Sequence, residues 1–148
     1  MNGPAGGAPR QEHSEAALVR RLRGPLPVPS AQSAIRVASW LKGVTPETAR
    51  TGLTAQIREY PHLSQLLDGV AEAAPFLFDL IQADAARFVH LLESGPDEAL
   101  AAVLADARGA VAVAAEQAEV MRILRCMKAH AALLIALADI GDVWPVAR

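Results

Sequence analysis

With 148 residues and 52% hydrophobic content, the chain is long enough to bury a core, and one domain is the expectation at this length. Lys and Arg number 14 against 16 Asp and Glu, so the net charge of -2 supplies no global field to attract nucleic acid or an anionic membrane. Aromatic residues make up only 4% and alanine dominates the apolar set, which disfavours strand-built folds and makes all-α the expected class.

Residues 1–13 combine glycine, proline and small side chains without periodicity and are expected to form a disordered tail. Nothing there has the apolar stretch of a secretory signal, and Glu12 and Glu15 oppose a transit peptide. Ser14 can cap a short helix through Arg23 with Ala17, Leu18 and Leu22 on one side, and the run Gly24 to Pro29 stops it as a linker. Ser30 restarts a helix whose predicted face is Ala34, Ile35, Ala38 and Leu41, ending at Gly43. Thr45, Pro46 and Glu47 then supply a cap, a first-turn proline and an early acid for the next helix.

From Leu53 onward the pattern predicts short helices punctuated at Pro61, Gly69, Pro75, Asp84 and Ser94-Gly95-Pro96. Their apolar faces are Leu63, Leu66, Leu67 and Val70, then Phe76, Leu77, Leu80 and Ile81, then Phe88, Leu91 and Leu92. No fixed period joins them, so no repeat array is predicted. Asp97 and Glu98 open a helix through about Ala107, weakened at Gly109. A longer helix follows over about residues 114–140, roughly 40 Å in length at the standard rise.

That helix carries a seam of Val120, Leu124, Met127, Ala131, Leu134 and Ala138, able to pack lengthwise on a neighbour. Its second half, AALLIALADI, is apolar nearly all round and needs cover on several sides. The most apolar stretch, Ala129 to Ala138, is about half the roughly 20 residues required to cross a bilayer. The expected architecture is therefore short helices packed around one long C-terminal helix.

Chemistry-bearing motifs are sparse. Gly3, Gly6 and Gly7 follow no strand and make no phosphate loop, and His13, His62, His90 and His130 form no paired-ligand spacing. Cys126 is the lone cysteine, which excludes an internal disulfide and a CxxC pair and fits a reducing cytoplasm. Cys126 and His130 share a helix face and could form half a metal site, but an inert thiol beside an ordinary imidazole is the favoured reading. Asp139 and Asp142 flank Ile140-Gly141, where a helix end is favoured over a cation site. Arg122, Arg125 and Lys128, with Glu119 upstream, read as a solvated face with local ion pairs, and Arg20, Arg21 and Arg23 read as solvated.

The run from Glu119 to Trp144, EVMRILRCMKAHAALLIALADIGDVW, resembles the long helix early in the glutamine synthetase adenylyltransferase/deadenylase family. Upstream, Ala74 to Asp84, followed by Phe88, Leu91, Leu92 and Glu93, is similar to that family's short-helix signature, so the resemblance covers about Leu53 to Arg148. It implies an enzyme that attaches AMP to a tyrosine of glutamine synthetase and removes it, with ATP and Mg²⁺ as cofactors and a PII signalling protein as regulator. It also implies that residues 14–148 are an N-terminal helical segment ending before the family's nucleotidyltransferase core. No catalytic, cofactor-binding or metal residue is therefore carried onto any position, and the chain alone is expected to be inactive. Cys126 and His130 stand where the family more usually has charged residues, and Asp142 where it has glycine. A stand-alone helical interaction module is the alternative. The surface around Leu133, Ile135, Leu137 and Ile140 is expected to stay partly uncovered and to favour self-association.

Overall fold

A computed structural model describes residues 17–22, 28–141 and 143–144. The predicted tail, Ser14, Arg23, most of the linker and Asp142 lie outside them. The described residues form eight helices and no strand: α1 Leu18–Arg21, α2 Ala31–Lys42, α3 Glu47–Glu59, α4 His62–Ala73, α5 Pro75–Ala83, α6 Ala85–Glu93, α7 Pro96–Val113 and α8 Gln117–Ile140.

Local chemistry accounts for several boundaries. The Ser30 side chain accepts the Ser33 amide at 3.2 Å and so caps α2. Asp84 caps α6 in the same way, its Oδ1 accepting the Arg87 amide at 3.0 Å. Pro75 and Pro96 sit in the first turns of α5 and α7, where a missing amide proton costs nothing. Pro46 occupies the cap position of α3 with Glu47 as its first helical residue, one place along from expectation.

The core gathers Leu18 from α1, Leu53 from α3, Leu63 and Leu67 from α4, Phe78 and Ile81 from α5, Phe88 and Leu92 from α6, and Leu134 and Leu137 from α8, all fully buried. Two predicted faces are rotated. In α2 the inward side is Ser33 and Val37, with Trp40 and Leu41 packed at the core edge, while Ile35 is 69% exposed. In α5 the buried aromatic is Phe78, and Phe76 is 69% exposed. One contact explains both shifts. Trp40 meets Phe78 edge to face at 5.5 Å between ring centres, and Arg36 lies 4.9 Å above the same ring.

The expected glycine breaks and the start of the long helix depart most from expectation. Gly69 interrupts nothing, since α4 passes through it with the glycine buried. Gly109 does not end α7 either, and the helix continues to Val113. A helical glycine costs about 1 kcal/mol against alanine, which packing along a neighbouring helix offsets. The true break is Ala114 to Glu116, so the long helix begins at Gln117 and not at residue 114.

With only these three residues between them, α7 and α8 fold back on each other as an antiparallel hairpin. Its base is buried and its outer part is not. Pro96, Ala99 and Ala107 of α7, and Leu133, Leu134, Leu137 and Ala138 of α8, are the buried residues of the two helices. The hairpin is therefore an arm rooted in the core.

The expected uncovered patch on α8 is mostly covered. Leu133 and Leu137 are buried, Ile140 packs on the core edge, and only Ile135, at 47%, stays open. The cover comes from α7 and α5, which pack on α8, and the residue after α1 seals its end: a methyl group built on Gly141 would lie 3.1 Å from the Leu22 Cα and against its Cδ2. Arg21 donates to the Val143 carbonyl at 3.0 Å, and Trp144 Nε1 donates to Asp97 at 3.0 Å, closing the arm's root. Large exposed apolar groups on the arm are instead Leu104, Val113, Met121 and Leu124, together with Ile135.

Candidate functional site

Polar side chains concentrate where α6, α7 and α8 meet. Asp84 and Arg87 leave the first turn of α6 on one side because residues three apart are neighbours on a helix. Arg87 Nε approaches Asp84 Oδ2 at 3.3 Å, and both side chains are partly open to solvent. The Arg87 Nη1 donates to Nδ1 of His130, which projects from α8. Accepting that bond requires a neutral imidazole with its proton on Nε2.

Burial holds the His130 pKa below its usual 6.5, and the nearby Arg87 guanidinium adds to the depression, while Asp84 opposes it. Next to this triad, Asp84, Arg87 and His90 from α6 and Ala102, Val103 and Asp106 from α7 line a groove of about 340 Å³. Two acids, a guanidinium and an imidazole thus face one opening of mixed charge. The triad's geometry is that of a fastener, since Arg87 Nε and Nη1 both donate to protein groups on two helices.

His130 therefore does not work with Cys126, which is exposed on α8. The sequence reading missed Arg87, although the Asp84 break and the spacing of three to Arg87 were visible. Nothing local signalled the partner 43 residues downstream. His62 is also structural, its Nε2 donating to the Val19 carbonyl at 2.8 Å and tying α4 to α1. His90 is exposed at the groove, and His13 lies outside the described residues.

The basic residues divide differently from expectation. Arg20 is not simply solvated, for its Nε donates to the Tyr60 hydroxyl at 2.9 Å, and Arg21 reaches the Val143 carbonyl. Arg122, Arg125 and Lys128 are exposed as expected, but among the described residues they form no ion pair with Glu119 or any other acid. Asp139 is exposed, and its proposed companion Asp142 is not described. Among the described residues no group of three or more His, Cys, Asp or Glu could hold a metal ion.

A second polar cluster joins α2 to α4. Glu72 accepts from the Ser30 hydroxyl at 2.6 Å, from the Ser30 amide at 3.2 Å and from the Ser33 hydroxyl. Those bonds, the Ser30 hydroxyl foremost, hold the Glu72 pKa below the ordinary carboxylate value. Its charge lies at the N-terminus of α2, where the helix dipole favours an anion.

Among the described residues no helix is long and apolar enough to cross a membrane. No protein-family profile and no solved structure matches the chain. Curated relatives do. The chain is 46% identical over 137 residues, 93% of its length, to a bifunctional glutamine synthetase adenylyltransferase/adenylyl-removing enzyme of Bradyrhizobium diazoefficiens, covering 14% of that protein. Its identity to the like-named enzyme of Rhodopseudomonas palustris strain BisB5 is 49% over 111 residues, 75% of this chain and 11% of that protein. With the Xanthobacter autotrophicus enzyme it is 41% over 95 residues, 64% of this chain and 10% of that protein. The chain thus spans 10–14% of the length of these relatives. An alignment of 137 residues also reaches far upstream of Leu53, where the resemblance was expected to fade.

Proposed function

We propose that this chain, homologous to one segment of the bifunctional glutamine synthetase adenylyltransferase/adenylyl-removing enzymes, serves that enzyme system as a helical scaffold and not as the carrier of its reacting groups. The observation that carries the reading is the 46% identity over 93% of the chain, set against 14% of the relative. Identity at that level over an all-helical segment means that the packed helices are shared. The arm and its root are then part of the relative as well.

On this reading the chain's business is the reversible attachment of AMP to glutamine synthetase, with ATP and Mg²⁺ acting at another part of the enzyme. Glutamine synthetase is the protein partner, the relatives' name being its support. Regulation through PII and a cytoplasmic setting rest on the family resemblance. Support for a scaffolding role comes from the polar triad between α6 and α8, in which Arg87 Nε and Nη1 donate to Asp84 and His130.

A graft tests this directly. The 137-residue matching segment of the Bradyrhizobium diazoefficiens enzyme is replaced by this chain, and AMP transfer to glutamine synthetase is measured. Retained transfer is the expected result, and a folded but inactive graft would sink the proposal. The isolated chain with glutamine synthetase, ATP and Mg²⁺ is expected to attach no AMP. Turnover above background would show that the chemistry had been placed in the wrong part of the enzyme.

A further inference from the structure

Away from the arm, α2 and α3 enclose an open groove of about 540 Å³. Leu41, Ala55 and Ile57 provide an apolar floor, Lys42, Arg50 and Arg58 stand along it, and Thr51 and Thr54 add hydroxyls. No acidic residue lines it. Arg50 is paired with Glu47 at 3.3 Å, yet among the described residues Lys42 and Arg58 form no ion pair.

We infer that this groove docks an acidic peptide segment of a partner protein, apolar residues against the floor and carboxylates against Lys42 and Arg58. Three observations favour that occupant. The charge is of one sign, which steers and selects an anionic partner. The floor is apolar, so a purely hydrophilic anion would leave it unused. The lining comes from two helices only, so the groove has no roof. Small-molecule sites bury most of their ligand, whereas a peptide lies along such a cleft.

Length is also consistent. Arg50 and Arg58 are eight residues apart on one helix, roughly 12 Å at the helical rise, which about four extended residues span. The groove wall along α3 is therefore long enough for about four extended residues of a segment that alternates acidic and apolar side chains. The inference does not depend on the family reading, since it rests on α2 and α3 alone.

The test uses the full chain and a fluorescein-labelled hexapeptide of alternating Glu and Leu, followed by fluorescence anisotropy. Binding is expected to weaken severalfold between 50 and 200 mM salt, as screening of the exposed charges requires. The variant Lys42→Glu with Arg58→Glu is expected to bind at least tenfold more weakly, and Arg125→Glu with Lys128→Glu as tightly as wild type. All of these positions are exposed, and circular dichroism verifies that the variants fold. Absence of binding, equal binding of a Lys and Leu hexapeptide, or loss of binding in the arm variant but not in the groove variant would each overturn the assignment. Displacement of the peptide by equimolar inorganic phosphate would do so too, marking a simple anion site.

Discussion

Gly141 is the position at which one methyl group most clearly separates local propensity from packing. It ends α8 with φ -79° and ψ 0°, angles that alanine adopts without strain, so propensity alone favours Gly141→Ala. Packing says the opposite. The added Cβ would meet the Leu137 carbonyl at 2.9 Å and the Leu22 Cα at 3.1 Å, both main-chain atoms that cannot rotate away, besides the Leu22 Cδ2. Overpacking of this kind costs about 1–3 kcal/mol, against at most about 1 kcal/mol gained from propensity. The net expectation is a loss of about 1–2 kcal/mol, a fall in Tm of roughly 2–8 °C for a chain of this size. Thermal unfolding followed by circular dichroism measures it. Gly109→Ala is the matched comparison, because nothing lies within 4 Å of its would-be Cβ inside α7. That substitution is expected to stabilise by about 0.5–1 kcal/mol. A Tm for Gly141→Ala equal to or above wild type would refute the close docking of Leu22, just after α1, on the end of α8.

Stability is also expected to depend on pH through His130. Its folded pKa is lowered from 6.5, so the unfolded chain binds more protons between the two values, and stability falls as pH drops below 6.5 and levels off beneath the folded value. Denaturant unfolding between pH 7.5 and 5.5 should show that decline in wild type and a flatter profile in His130→Asn, which offers an acceptor but no titration; parallel profiles would contradict it. Leu134→Ala, at a site with 0% exposure, should cost about 2–5 kcal/mol, and a loss under 1 kcal/mol in urea unfolding would place α8 outside the core. Asp84→Ala removes the cap of α6 and should cost about 0.5–2 kcal/mol, with hydrogen exchange in α6 accelerating more than in α3. Equal acceleration in both helices would argue against a local capping role.

The helical class and most helix starts were legible because they rest on short-range chemistry. Ser30, Asp84, Pro75 and Pro96 each satisfy or remove an amide within one turn, and those signals need no tertiary partner. Faces were harder. In α5, residues 76, 77, 78, 80 and 81 are all apolar, so periodicity does not say which points inward; Trp40 on another helix decides for Phe78. The turn between α7 and α8 was misplaced for a related reason. Ala114, Ala115 and Glu116 are good helix formers without glycine or proline, and the chain breaks there because the two helices gain more by pairing than by continuing as one. The Arg87 and His130 contact was invisible because its partners are far apart in sequence, while the tempting neighbour of His130, Cys126, was merely close on the helix.

The arm turns small changes at its root into large ones at its end. Twenty-four residues give α8 a length of about 36 Å, held only over its last third by Leu133, Leu134, Leu137 and Ala138. Arg87 grips His130 close to where that hold begins. The free portion, from Gln117 to about Ala129, is a lever of roughly 20 Å, so a tilt of about 10° at the grip displaces the Val113 tip by some 3 Å. A load on Val113 or Met121 would therefore be met at the foot of that lever, where Arg87 holds His130.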